Sequence, residues 1–310
     1  MVQGRNPAYT LPECGRFLNL KKLRKFVEVA LLGCFFILTF SKSSVISIVS
    51  FFLLVLLLVQ LVKNSKILKS LSFLLFLYLW QIVSSHKLVP SYILPSPVQI
   101  VHIISTQSNI ILPNLLATLE VTFIGFFLSI LFGVLLALLM HVAKPIEDLI
   151  YPIAVITQST PTIAIAPLII LWLGFGTLPK IVVVIWATFF PITVNTLLGL
   201  RTVDPDMVDV LKAISAKKSD IFRYVIFPHT LTYIITGIEI SSPYAILGTL
   251  TAEWMGTTIG MGLYIRRSFS SFQLDQVFAG TIIIILFSLL MWGSATMLRQ
   301  KFTRYLGGEK

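Results

Sequence analysis

Long apolar runs without charge decide what this chain can fold into. Residues 43–62, 121–143, 181–200 and 276–298 contain no Asp, Glu, Lys or Arg, and residues 149–179 form an uncharged run of 31. Residues 70–86 are slightly shorter, 224–252 are interrupted only by Glu239, and 26–41 carry Glu28 near their start. A helix crosses a bilayer with about 20 mostly apolar residues. Membrane strands would instead show short alternating segments. The pattern predicts an all-α, polytopic membrane bundle of about eight helices. Only 12% of the residues are charged and 56% are hydrophobic. A soluble domain carries roughly 25% charged residues, so a soluble enzyme, a disulfide-rich secreted domain and a disordered regulator are all excluded as readings.

The few charges give the topology. The net charge is +11, from 24 basic and 13 acidic residues. Arg5, Arg16, Lys21, Lys22, Arg24 and Lys25 precede the first helix; Lys63, Lys66 and Lys69 follow the second; Lys144 follows the fourth. Arg201, Lys212, Lys217, Lys218 and Arg223 fall after the sixth, and Arg299, Lys301, Arg304 and Lys310 close the chain. With eight helices all of these share one side, against Lys42, Lys87, Lys180, Arg266 and Arg267 on the other. The positive-inside rule then places both termini in the cytoplasm. The basic leader, residues 1–25, is too long for a signal-peptide n-region, and no small-residue cleavage site follows, so the first helix is read as retained. Residues 26–66 form an N-terminal hairpin, 67–300 a six-helix core, and 301–310 a cytoplasmic tail. Cys14 and Cys34 read as unrelated thiols.

The loop at 201–227 is the most polar segment after the leader. Asp204-Pro205-Asp206 is a helix start, with Asp204 as N-cap and Pro205 in the first turn. Met207, Val208, Leu211 and Ile214 recur at helical spacing. Ser219 is placed to cap a second short helix containing Ile221, Phe222, Val225 and Ile226, and Pro228 marks the return to the membrane. Two short amphipathic helices on the cytoplasmic face fit either an interfacial anchor on anionic lipid or a docking surface for a cytoplasmic partner.

No G-x-x-x-x-G-K-[ST] phosphate loop, H-E-x-x-H or G-x-S-x-G occurs, and His86, His102, His141 and His229 are too dispersed for a metal site. The chain reads as a non-enzyme with no metal, no cofactor of its own and no nucleic-acid partner. Its polar groups near membrane depth are the candidates for a solute path. Gln158, Ser159, Thr160 and Thr162 surround Pro161, where irregular backbone survives only against protein or a water-filled cavity. Pro161 and Pro167 are expected to bend that helix. Glu239 falls near mid-membrane, where a carboxylate costs roughly 2.5–3.5 kcal/mol on insertion scales and so faces a partner or a cavity. Glu253-Trp254 falls at the outer end of the same span, and Tyr244 lies between them. Glu120 is placed at the outer start of the fourth helix, in reach of solvent.

The loop resembles the E-A-A-x3-G-x9-I-x-L-P segment of ABC importer membrane subunits. Its spacing is kept without gaps by Asp209, Val210, Leu211, Ser215, Val225, Phe227 and Pro228, although only Pro228 is identical and Ser215 replaces the bending glycine. Other segments are similar to the nitrate, sulfonate, taurine and thiamine-precursor branch of that family. They are Leu94-Pro95-Ser96-Pro97, Ala117-Thr118-Leu119 with Gly125-Phe126, Pro161 to Pro167, Leu171-Trp172-Leu173-Gly174-Phe175-Gly176, Phe189-Phe190-Pro191-Ile192 and Ala252-Glu253-Trp254-Met255-Gly256. Gly260 to Tyr264, Phe269, Ser271-Phe272 and Val277-Phe278-Ala279 look closest to the thiamine-precursor members. The resemblance implies a type I importer fold and a permease that usually pairs with an identical copy. It also implies a cytoplasmic ATPase that binds ATP and magnesium, and an extracytoplasmic binding protein. Residues 208–215 would be the coupling helix, with Asp209, Val210, Leu211, Ala213, Ser215, Lys217 and Pro228 as the ATPase-coupling set. An ion-coupled secondary transporter and a membrane scaffold are the alternatives. The first should show inverted repeats and broken helices in both halves, and the second needs no polar residues at depth.

Overall fold

The computed structural model describes residues 76–77, 79–85 and 88–305. The expected first two helices and the leader lie outside these residues, and of the expected third helix residues 76–77 and 79–85 are described and helical. The segment Tyr92–Lys310 forms one compact unit, all-helical among its described residues.

That unit begins with α1, Pro97–Thr106. Ser96 accepts from the Gln99 N–H at 3.2 Å while the Gln99 side chain accepts from the Ser96 N–H at 2.9 Å. This reciprocal box satisfies two orphan donors and starts the helix. α2, Ser108–Val142, follows and is 35 residues long. It begins 13 residues before the uncharged run because Glu120 ends a run without ending a helix; its side chain is exposed and costs the backbone nothing. Glu120 is therefore within α2 rather than at its start.

The expected fifth helix is two helices, α3 (Lys144–Ser159) and α4 (Thr162–Leu173), set at 109°. Pro161 breaks the helix rather than bending it. The residue before a proline is pushed to extended backbone, and Thr160 has ψ of 123°. Pro167 sits within α4 without ending it. α5 spans Thr177–Arg201.

Beyond α5 come α6 (Pro205–Ala213), the short α7 (Lys218–Ile221), a π turn (Phe222–Ile226) and α8 (Phe227–Gly256). The last three form one 39-residue rod. Pro228 lies in the first turn of α8, where its missing N–H removes little, and the wider π turn before it absorbs the ring. Nor does Ser219 cap α7. Lys217 occupies that position without a side-chain bond. α9 (Met261–Ser270) and α10 (Leu274–Tyr305) complete the chain.

α2, α5 and α8 form the centre. Each presents a stripe of small or hydroxylated residues to its neighbours, as expected where packing rather than the hydrophobic effect holds helices together in lipid. A Cβ added to Gly125 of α2 would lie 2.7 Å from Val184 of α5. One added to Gly199 of α5 would lie 2.7 Å from Tyr233, and one added to Gly237 of α8 would lie 2.9 Å from the Ile192 backbone. Buried hydroxyls join the same faces. Thr122 and Thr249 are 2.8 Å apart, as are Ser129 and Thr188. Val121, Phe126, Val184, Ile192 and Ala245 fill the space between. A second cluster, with Ile111, Leu115, Ile246, Met261, Tyr264, Ile283 and Ile284, fixes α9 and α10 against α2 and α8. At the Arg201 end of the bundle, buried Glu147 of α3 accepts from Arg201 of α5.

Candidate functional site

α6 carries the loop motif. Asp204 caps it by accepting from the Asp206 N–H at 2.9 Å, as its position in the sequence predicts. The helix runs over Pro205–Ala213, three residues ahead of the expected 208–215, because this cap sets its first turn. None of its residues is buried. Met207 and Val210 are 60% and 64% exposed, and Ile214 just beyond is 71% exposed. Asp209 reaches Lys212 at 2.8 Å across the surface, a pair of little consequence for stability at that exposure. Ala213 and Lys217 are also exposed. A nine-residue helix is marginal alone, and this one leaves its apolar face open.

Ser215 ends α6 with φ of 60°. Its N–H donates to the Lys212 carbonyl at 2.9 Å and the Ala216 N–H to the Leu211 carbonyl at 3.0 Å. These are the two bonds of a Schellman cap, whose left-handed position favours glycine. The bend that glycine supplies in the family motif is therefore made here by serine, at a strain of about 1 kcal/mol. Behind α6 lies a largely apolar cavity of about 760 Å³, lined by Met207, Val210 and Leu211 on one side and Tyr224, Val225 and Pro228 on the other.

The candidate path residues fall into two groups. Gln158 and Ser159 are exposed at the α3–α4 break, Thr160 and Thr162 are half-buried, and Tyr244 and Trp254 are 43% and 40% exposed. The Ser159 and Thr160 hydroxyls donate to their own helix, to the Val155 and Ile156 carbonyls at 3.0 and 2.9 Å.

The two carboxylates are instead tied into the packing. Glu253 is fully buried. It accepts from the Thr118 hydroxyl at 2.8 and 3.0 Å and from the Gly262 N–H at 2.7 Å, while the Met261 N–H donates to the same threonine oxygen at 2.8 Å. Asn114 accepts from the Gly260 N–H at 2.8 Å. The start of α9 is thereby latched to α2 and α8. Nearby, the Tyr264 hydroxyl donates to Gln107 at 3.1 Å. Its burial, and then the charge of Asp275, push its pKa up to about 12, which keeps it a neutral donor. Glu239 accepts from Arg299 and, at 2.8 Å, from the Thr296 hydroxyl, both on α10. Residues 239 and 253 are separated by about 21 Å of helix, so they do not share a site. Thr118, Gly262, Thr296 and Arg299 are absent from the sequence-based set. Thr118, Thr296 and Arg299 lie far along the chain from their carboxylates, and Gly262, nine residues from Glu253, contributes a backbone N–H that no residue type announces. No cluster of His, Cys, Asp and Glu able to hold a metal occurs among the described residues.

Comparison with known proteins agrees with this arrangement. The family described as binding-protein-dependent transport system inner membrane component matches residues 129–304. The formylaminopyrimidine transport permease protein ThiX of Halalkalibacterium halodurans is 37% identical over 213 residues, 68% of this chain and 85% of the relative. The putative aliphatic sulfonates transport permease protein SsuC of Bacillus subtilis is 30% identical over 231 residues, 73% of this chain and 83% of the relative. Among solved structures, an inward-facing form of the MetNI methionine ABC transporter superposes with a TM-score of 0.56 at 16% identity, covering 64% of this chain and 98% of that one. With four to five apolar spans among the described residues and this match over more than half its length, the chain belongs to the binding-protein-dependent inner membrane family and is a permease subunit of an ABC importer.

Proposed function

We propose that this permease forms a homodimeric pathway for a small polar heterocycle of the thiamine-precursor pyrimidine type, with both termini in the cytoplasm. α6 is the coupling helix. It docks a separate ATPase, which binds ATP and magnesium, while an extracytoplasmic binding protein delivers the solute; this chain holds neither nucleotide nor metal. Closure of the ATPase dimer on ATP moves α6 and reorients the helices around the path, exposing it alternately to the two sides. The exposed groups Gln158, Ser159, Tyr244 and Trp254 and the half-buried Thr160 and Thr162 are the path candidates. Glu239 and Glu253 hold the surrounding helices in place.

The observation that carries this reading is a capped helix on the motif segment with no buried residue and a projecting apolar face. Asp209→Arg or Ala213→Trp is expected to abolish copurification of the ATPase while leaving the permease folded in detergent. Stoichiometric ATPase in either preparation would remove α6 from this role. The solute is supported by the 37% identical relative named for formylaminopyrimidine. Calorimetric titration of the partner binding protein is expected to give at least about tenfold tighter binding of formylaminopyrimidine than of taurine or nitrate. The reverse order would reassign the solute.

A further inference from the structure

We propose that the π turn Phe222–Ile226 is a register-shifting hinge between α6 and α8. The inference deepens the reading of α6 as the coupling helix and rests on it for its biological use. Three observations independent of that reading point to a second state. The first is the turn itself. The Phe227 N–H bonds to the Phe222 carbonyl, five residues back, and such turns insert one extra residue into an otherwise α-helical rod. The Phe222 and Phe227 rings, 6.3 Å apart, record that register. Residues five apart lie about 140° around an α-helix and meet only in the wider turn.

The second is Thr230. Its side chain is buried and its hydroxyl has no hydrogen-bond partner, whereas buried Thr122, Thr193, Thr196 and Thr249 each donate to the carbonyl four residues earlier. For Thr230 that carbonyl belongs to Ile226, the last residue of the π turn. A buried polar group without a partner requires an explanation, and here the missing bond coincides with the irregular turn. The third is space. The cavity of about 760 Å³ lies between the turn and α6, so the two can approach without displacing packed side chains.

In the second state the turn adopts α geometry, the extra residue is released toward α7, and the Ile226 carbonyl receives the Thr230 hydroxyl. One residue of register corresponds to about 100° of rotation and about 1.5 Å of rise. A movement of α6 is thereby converted into a screw motion of α7 and the turn about the base of α8, which the Gly199 contact holds against α5. Pro228 holds the resting state, because without an N–H it cannot make the α-type bond to Tyr224 and its ring crowds that carbonyl.

Amide hydrogen exchange of the assembled transporter, read by mass spectrometry without nucleotide and after trapping with Mg·ATP and vanadate, tests this. Amides of residues 223–227 are expected to exchange at least about tenfold more slowly in the trapped state. Pro228→Ala restores the donor and is expected to give the slow exchange before any nucleotide is added. Thr230→Val removes the gain in the α state and is expected to keep exchange fast throughout. Equal rates in the two wild-type states of a sample that retains its ATPase would overturn the hinge while leaving α6 as the docking helix. Wild-type behaviour of Thr230→Val would overturn it too. The Pro228→Ala comparison without nucleotide requires no ATPase, so an unchanged rate there counts against the hinge even if α6 proves not to dock one.

Discussion

Glu253→Ala is expected to lower the stability of the permease by about 4 kcal/mol, seen as a fall on the order of 10 °C in the thermal unfolding midpoint in detergent. The side chain is fully buried and serves two donors on separate elements, Thr118 of α2 and the Gly262 N–H of α9. Removing the acceptor leaves the Gly262 N–H unsatisfied at a cost of about 1–3 kcal/mol, the Thr118 hydroxyl keeps only its 3.1 Å bond to the Asn114 carbonyl, and the lost volume adds a cavity. The latch can be tested by coupling. A Cβ at Gly260 would lie 2.3 Å from the Glu253 carboxyl carbon, on backbone with φ of +143°. Gly260→Ala should therefore be severe in the wild-type protein. It should be milder once Glu253 is alanine, because the clash has gone and only the backbone strain remains. Additive losses within about 0.5 kcal/mol would show that the two positions do not share a contact.

Glu239→Gln is expected to be damaging for a different reason, by about 1–3 kcal/mol. It replaces the acceptor of a charge-assisted hydrogen bond with a neutral amide, and the 40% exposure of the Arg299 side chain moderates the loss. Glu239→Leu with Arg299→Met removes both charges and should recover most of the loss, since an apolar pair of similar volume often replaces a buried ion pair without penalty. The amount of folded protein recovered from membranes and its unfolding midpoint report the comparison. A double variant no better than Glu239→Gln would show that these two groups do not balance each other.

Much of this architecture could be read from local signals. The uncharged runs located α5 and the start of α10 to within a few residues, because a helix in lipid must be apolar along nearly its full length; α10 runs seven residues past its uncharged run. Asp204-Pro205 located the start of α6, because cap chemistry is decided within four residues. The loop spacing placed Ser215 at the bend, and the structure shows the left-handed backbone there. Legibility ended where a cue was ambiguous or a partner was distant. Glu120 looked like a boundary although a solvated carboxylate can sit on a helix that continues past it. Pro228 reads as the return to the membrane, but nothing in the sequence announces the π turn before it. α1 had its signal in Ser96 and Gln99, but the segment was read only as a motif. The roles of Glu239 and Glu253 depended on residues 57 and 135 positions away, which no periodicity can reveal.

The glycine contacts among α2, α5 and α8 have a mechanical meaning. Backbones that meet at Gly125, Gly199 and Gly237 are interlocked on both sides of each crossing, so neither helix can slide along the other without lifting off it. Shear is therefore closed to the centre of the subunit, and any large movement carries the three helices as one body. Because α8 is one continuous helix from Phe227 to Gly256, a push at its base is passed toward the Glu253 latch at its far end, so the centre of the subunit acts as a lever arm.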